Sequence, residues 1–249
     1  MKFSIITATY NSQEYIEYTL ESIEAQKYKN FQHIAVDGLS TDSTFNILEK
    51  SRVVDVLISE KDAGIYDALN KGIKIANGDV ICFLHSDDYY AHNFVLEKVA
   101  SIFEANSSVD AVYGDLEYVT KKNNHKIRHW KSSTFSSWKL YFGWMPPHPS
   151  LFVRKSWYKK VGYFDTRFRI SSDYHNILKL FNCREFEAFY LPEILVKMRT
   201  GGESNRSLNN IFSKSCEDYK ALRDCKFNIL SSAFSIFSKN ISKLPQFIF

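Results

Sequence analysis

The chain has 249 residues, 45% of them hydrophobic and 16% aromatic, which is enough apolar side chain for one sizeable core and too much for a disordered chain. Its formal net charge of +4 hides an imbalance, because residues 1–120 carry 9 basic and 19 acidic side chains while residues 121–249 carry 23 and 9. An acidic half suits a metal cation and a basic half suits phosphate or an anionic membrane; without a zinc-finger or RNP-type motif, nucleic acid is not expected as a partner. Cys82, Cys183, Cys216 and Cys225 are scattered without C-x-x-C spacing and read as reduced thiols. The first apolar stretch, Phe3 to Ile6, is too short for a signal peptide and no run approaches a membrane span, so a cytoplasmic protein is expected.

Residues 3–10 (FSIITATY) predict a buried strand, and Asn11 with Glu14 forms a capping-box-like helix start ahead of Ile16, Leu20 and Ile23 on one face. A second strand, His33 to Val36, ends at Asp37-Gly38; a helix from about Thr41 and a third strand from Val53 to Ser59 follow. Gly64 precedes a helix with Ile65, Leu69, Ile73 and Ala76 at helical spacing, and Gly78-Asp79 turns into the strand Val80 to Leu84. Strand and helix alternate, which predicts an α/β fold with a mainly parallel sheet flanked by helices. Ligands of such sheets sit at the carboxyl ends of the strands, where Thr7 to Asn11, Asp37 to Asp42, Glu60 to Gly64 and His85 to Asp88 converge on an acidic crevice. Beyond residue 90 the rhythm changes to a helix near 93–105, short strands near 111–119 and 126–130, the loop WMPPHPS at 144–150, a helix from Asp173 to about Asn182 and short strands near 187–199. Gly201-Gly202 then breaks the chain before a helical tail.

Most of the candidate residues have two readings each. Thr7, Tyr10 and Asn11 at a strand end offer hydroxyls and an amide to a nucleotide, or Asn11 simply caps a helix. Asp37 is either an acceptor for a base or ribose or an Asp-Gly turn residue. The charged run around Asp62 reads by itself as a solvated loop, Gly64 permits close backbone approach, and Asp67 and Asn70 lie three apart at a helix start. Asp87 and Asp88 are adjacent carboxylates after VICFL, a repelling pair that is relieved by solvent or a cation. Asp173 by itself reads as a helix N-terminal acid favoured by the helix dipole.

TATYN at 7–11, VDGLSTDST at 36–44, SEKDAGIYDALNKGIKIANGDVICFLHSDD at 59–88 and ISSDYHNILKL at 170–180 occur in an order that resembles the family-2 glycosyltransferases. That resemblance covers roughly residues 1–203 and implies a GT-A catalytic domain, with a donor-binding half (1–90), an acceptor half (91–203) and a helical appendage (204–249). It implies inverting transfer of a sugar from a nucleoside-diphosphate sugar to a hydroxyl of a glycan or lipid-linked acceptor in polysaccharide or oligosaccharide assembly. Thr7, Tyr10, Asn11, Asp37, Asp62, Gly64, Asp67, Asn70 and Asp88 would bind donor. Asp87 would hold Mn²⁺ or Mg²⁺, with His85, standing where relatives with a D-x-D motif have Asp, as a further ligand candidate. Asp173 would be the base, although Ser172 precedes it where relatives often have Glu, and His148 is a second candidate for proton chemistry. Trp144, His148, Arg199, Gly201 and Gly202 would form the acceptor side and lid. The departure at His85 keeps open a catalytically silent nucleotide-sugar-binding or membrane-recruited module, whereas an NAD-type Rossmann enzyme lacks its G-x-G-x-x-G after the first strand.

The tail places Phe227, Leu230, Phe234, Phe237, Ile241 and Leu244 at spacings of three and four, with Lys226, Lys239 and Lys243 and no acid after Asp224. It reads as an amphipathic helix for peripheral attachment at the inner face of an anionic membrane, or as a surface packed on the catalytic domain or on a second subunit of an oligomer.

Overall fold

The computed structural model describes residues 1–200 and 208–241. Strands β1 (Phe3–Thr9), β2 (Phe31–Asp37), β3 (Val56–Ser59) and β4 (Val80–Phe83) form a parallel block in the order β3-β2-β1-β4. Helices α1 (Ile16–Glu24), α2 (Thr44–Lys50) and α3 (Ile65–Ile75) connect them. All seven residues of β1 are buried, as expected of a strand covered on both faces. Alternation then sorts its side chains, with Ile6 packing with Leu69 and Ile73 of α3 and Phe3 and Ile5 packing with Ile16, Leu20 and Ile23 of α1.

The element starts differ from expectation where polar side chains find other partners. Asn11 sits at φ 48° and its Oδ1 accepts from the Thr41 amide at 2.8 Å, so no capping box forms; α1 begins at Ile16 with no side-chain cap. Asp42 Oδ1 takes the Thr44 amide at 2.9 Å and the Thr44 hydroxyl at 2.5 Å, which delays α2 to Thr44.

The second half extends the same sheet with β5 (Asp88–Tyr90), β6 (Ala111–Val119), β7 (Lys126–Trp130), β8 (Leu151–Arg154) and β9 (Ala188–Arg199). Antiparallel β8 bridges β4 to β6, β9 runs parallel to β6, and β5 lies antiparallel on the outer edge, giving β3-β2-β1-β4-β8-β6-β9-β5 with β7 beside β6. Where short strands are expected over 187–199 there is one strand of 12 residues, paired with β6 on one side and β5 on the other. Helices α4 (Val95–Ala105), α5 (Lys155–Val161) and α6 (Ser172–Phe181) cover the sheet.

Helices α7 (Leu208–Asp224) and α8 (Ile229–Ile241) complete the described chain. Ala221, Leu222, Cys225 and Phe227 join the apolar core that also holds Tyr174 and Phe181. The single apolar stripe expected of the tail is interrupted, because Lys226 adopts φ 67°, Phe227 is buried and α8 starts only at Ile229. Leu244 lies outside the described residues. Among those described, no helix is long and apolar enough to cross a membrane.

Candidate functional site

The loops at the carboxyl ends of the parallel strands are stitched together by side chains. Asn11 bonds Thr41, Ser12 Oγ meets Ser86 Oγ at 2.8 Å, and the Ser12 amide donates to Thr44 Oγ1 at 2.7 Å. Above them opens a cleft of about 2090 Å³ whose lining includes Gly64, Asp67, His85, Asp87, His148 and Asp173.

Asp37 is fully buried, and its oxygens accept from Thr9 Oγ1 (3.2 Å), the Ser40 amide (3.0 Å), Ser40 Oγ (2.5 Å) and Ser59 Oγ (2.8 Å). It anchors three strand ends. Thr7 is likewise buried, its hydroxyl 3.0 Å from His33 Nε2, whereas Tyr10 is 62% exposed. Asp62 Oδ1 accepts from the Gly64 amide at 2.9 Å, and Gly64, at φ 120°, makes a turn that side chains resist. Asp67 accepts the Ala63 amide at 3.1 Å and lies 3.6 Å from Lys71. Asn70 clasps the Phe164 backbone, donating to its carbonyl at 2.8 Å and accepting from its amide at 2.9 Å, and so ties α3 to the loop between α5 and α6.

After β4, Asp87 faces the cleft and its carboxylate makes no hydrogen bond among the described residues. Asp88 is turned inward in β5 with Oδ1 unpartnered. Burial and the neighbouring Asp87 charge push Asp88 well above the usual carboxylate range, against the pull of Arg199. His85 Nδ1 is also buried without a partner, and burial lowers its pKa although Asp87 and Asp173 oppose the shift. Arg199, placed on the acceptor side by the sequence reading, lies 1% exposed beneath this turn. Its guanidinium is boxed by Tyr15 (5.2 Å), Tyr18 (4.6 Å) and Tyr89 (4.8 Å) and donates to the Asp87 carbonyl at 2.9 Å.

Across the cleft, Asp173 is held at the first turn of α6. Its Oδ1 accepts from the Tyr66 hydroxyl at 3.1 Å and the Tyr174 amide at 2.8 Å, leaving Oδ2 without a hydrogen bond among the described residues. Burial alone would raise its pKa, but the charges of His148, Lys214 and Lys239 and the Tyr174 amide outweigh burial and hold it below the usual aspartate value. His148 stacks on Phe83 at 5.1 Å with its ring 6.2 Å from that of His85, and burial lowers its pKa to about 4, so it is neutral near pH 7. Trp144 is wedged among Tyr113, Phe135 and Phe181 at the cleft wall. Gly201 and Gly202 lie outside the described residues.

Several contributors carry no local signal in the sequence. Tyr66 reaches Asp173 across 107 positions and also donates to the Ile170 carbonyl at 2.7 Å. Glu217 of α7 accepts the amides of Arg169 (3.1 Å), Ile170 (2.8 Å) and Ser171 (2.9 Å), fixing the loop that precedes Asp173. On β7, Arg128 lies over Tyr118 at 4.3 Å beside Trp130, giving the cleft a cationic aromatic wall.

The chain is similar to known glycosyltransferases. A PGL/p-HBAD biosynthesis glycosyltransferase of Mycobacterium tuberculosis is 29% identical over 217 residues, 85% of this chain and 82% of the relative. An uncharacterised glycosyltransferase of the same organism is 30% identical over 180 residues, covering 71% of this chain and 67% of its own. S. aureus TarS, solved in complex with UDP-GlcNAc, superposes with a TM-score of 0.70 at 22% identity over 90% of this chain and 65% of that one. The mannosyltransferase PcManGT from Pyrobaculum calidifontis, solved with GDP-Man and Mn²⁺, superposes with a TM-score of 0.67 at 15% identity over 98% and 70%. At such identity these structures establish the fold, which is of GT-A type. Residues 4–178 match the model of Glycosyl transferase family 2, and with that span covering most of the chain the protein belongs to this family of glycosyltransferases.

Proposed function

We propose that this enzyme transfers a sugar from a nucleoside-diphosphate sugar to a hydroxyl of a glycan or lipid-linked acceptor, with inversion at the anomeric carbon. The observation that carries the reading is Asp173, whose Oδ2 is left open in the cleft while Oδ1 is fixed by Tyr66 and the Tyr174 amide. An acceptor oxygen attacks the anomeric carbon as the bond to the diphosphate breaks on the opposite face; its proton passes to Asp173, and the bonding electrons leave with the nucleoside diphosphate. The UDP-GlcNAc held by TarS and the GDP-Man held by PcManGT support this donor class.

A divalent cation, Mn²⁺ or Mg²⁺, belongs to this reading and when bound would offset the charge growing on the diphosphate. Asp87 and His85 have open donor atoms and would hold it, with Asp88 behind them. No cluster of three His, Cys, Asp or Glu ligands exists among the described residues, so the diphosphate would complete the shell, as it often does for Mg²⁺. The setting proposed is polysaccharide or lipid-linked oligosaccharide assembly at the inner face of a membrane.

Asp173→Asn tests the reading. Donor binding, followed by thermal shift with UDP- and GDP-sugars plus Mn²⁺, should persist while turnover falls at least ~100-fold. Near-normal turnover would move the base elsewhere, with His148 next in line. A wild-type protein that binds donor and transfers nothing would instead be a nucleotide-sugar-binding module.

A further inference from the structure

Helix α8 is packed inside out. Its inward face carries Ser232, Ser235 and Lys239, all buried, and its outward face carries Leu230 (82% exposed), Phe234 (48%), Phe237 (63%) and Ile241 (46%). The inward polar groups are partnered: Ser235 Oγ donates to the Leu140 carbonyl at 3.3 Å, Ser232 Oγ to the Asn228 carbonyl at 2.8 Å, and Lys239 Nζ reaches Asp218 Oδ2 at 2.8 Å. The helix is not a loose arm. At Gly143, φ 73°, an added Cβ would lie 2.7 Å from Lys239 Cβ and 2.8 Å from the Ser235 carbonyl oxygen, so α8 sits on the 140–143 backbone at a distance only glycine allows.

The outward apolar face continues toward the active site. Phe234 meets Phe142 edge-on at 5.1 Å, Phe142 meets Trp138 at 5.6 Å, and Trp138 and Phe142, each about half exposed, line the mouth of the cleft. Two acid-free segments meet here. Between Glu117 and Asp165, and again after Asp224, the sequence has no acid, and Lys139 of the first segment lies over the Trp138 ring at 5.9 Å. The acids of α7 closest to this patch in sequence are engaged, Asp218 with Lys239 and Asp224 with Arg167 at 3.3 Å.

We infer that the outward face of α8 and the neighbouring Trp138–Phe142 turn form a docking surface for an anionic lipid bilayer. Exposed aromatic and aliphatic side chains with Lys139 at their edge, in two chain segments that carry no acid, match a surface that is negative at its headgroups and apolar beneath them. A second copy of the chain fits less well, because a two-fold contact would bring two acid-free basic segments together. Since Trp138 and Phe142 belong to both the patch and the cleft mouth, docking sets the cleft at the membrane, where a lipid-linked hydroxyl would reach Asp173. That purpose rests on the proposed acceptor, whereas docking itself does not.

Full-length protein is sedimented with phosphatidylcholine vesicles and with vesicles of phosphatidylcholine mixed with phosphatidylglycerol, alongside the Leu230→Glu, Phe237→Glu variant. The wild type should bind the anionic vesicles, lose binding as salt rises, and outbind the variant on the order of 10-fold or more, with melting temperature and donor binding of the variant unchanged. Should the variant fail to fold, brominated-lipid quenching of tryptophan emission in the wild type reads the contact without substitution. Absence of wild-type binding or quenching overturns the proposal, as does equal vesicle binding by a folded variant. A wild-type dimer that the variant converts to monomer, with no vesicle binding, assigns the face to a second copy. Vesicle binding without any donor binding would sink the transferase reading and leave the docking surface standing.

Discussion

Removing the Glu217 carboxylate should loosen Asp173, the proposed base, without removing a group that acts on the substrate. Its Oε2 accepts the Ile170 and Ser171 amides and its Oε1 the Arg169 amide, all within 3.1 Å, at the loop that leads into α6. Hydrogen bonds to a charged acceptor contribute about 1.5–3 kcal/mol each, but three that share one carboxylate beside a wet cleft recover part of that from water when it is deleted. Glu217→Ala should therefore cost about 3 kcal/mol. Glu217→Gln keeps one acceptor oxygen for two of the amides and presents an NH₂ to the third, so about half that cost is expected. Asp173 lies two residues beyond Ser171, and a small displacement of a reacting group is expensive; turnover should fall roughly 10- to 100-fold at unchanged donor affinity. Urea unfolding and initial-rate kinetics on the same preparations measure both effects. A Glu217→Ala protein within about 0.5 kcal/mol of wild type, or one with full turnover, would refute the claim that these amides depend on Glu217 and that their loop positions the base.

Asp218→Ala leaves the Lys239 ammonium buried without that carboxylate, and should cost about 3–5 kcal/mol in urea unfolding, whereas Asp218→Leu with Lys239→Met should cost clearly less; equal losses would mean the pair is not coupled. Burial lowers both His33 and His148 to about 4 in the folded protein, below the unfolded value near 6.5. Between those pH values the unfolded chain binds more protons, so stability should fall with pH across that window by roughly 3 kcal/mol per histidine; a flat profile from pH 7 to 5 would contradict the burial of both rings.

The parallel half was legible because its signals are local. Continuous apolar strands, helical stripes and the polar residues after each strand recur within short windows, and β1 to β4 with α1 to α3 follow them. The misreadings arise where a side chain has a distant partner. Asn11 looks like a cap until Thr41, 30 residues away, takes its oxygen. Arg199, which the resemblance puts on the acceptor side, is enclosed by three tyrosines brought together from α1, its preceding turn and β5, a burial that no local pattern signals. Strands β5 and β8, of three and four residues, are too short to show a period and exist because the sheet supplies partners on their edges. In the tail the spacing of apolar residues was readable but the direction they face was not. Amphipathic periodicity normally points the apolar stripe inward, and α8 reverses it because its inward polar groups all find partners, Ser232 at the Asn228 carbonyl, Ser235 at the Leu140 carbonyl and Lys239 at Asp218 of α7.

The same long-range contacts decide the state of Asp173. Its motif placed an acid at the start of α6, but burial would by itself push that acid toward its neutral form. At neutral pH, where His148 is uncharged, the anion is maintained by groups from several parts of the chain: Lys214 on α7, Lys239 on α8 and the amide of Tyr174, with His148 adding its charge only once the pH falls to about 4. Lys239 also lies 3.4 Å from the centre of the Tyr174 ring, one residue from the base. Cutting the chain after Arg223 would therefore remove the proposed membrane surface, the core residues Cys225 and Phe227 and part of the field around Asp173 in one stroke. Loss of vesicle binding in such a truncation would say nothing specific about lipid. Substitution of the outward residues Leu230 and Phe237 leaves Lys239, Glu217 and the core in place, and a loss of vesicle binding with turnover on a soluble acceptor intact would separate what α8 does at its outer face from what it does for the base behind it.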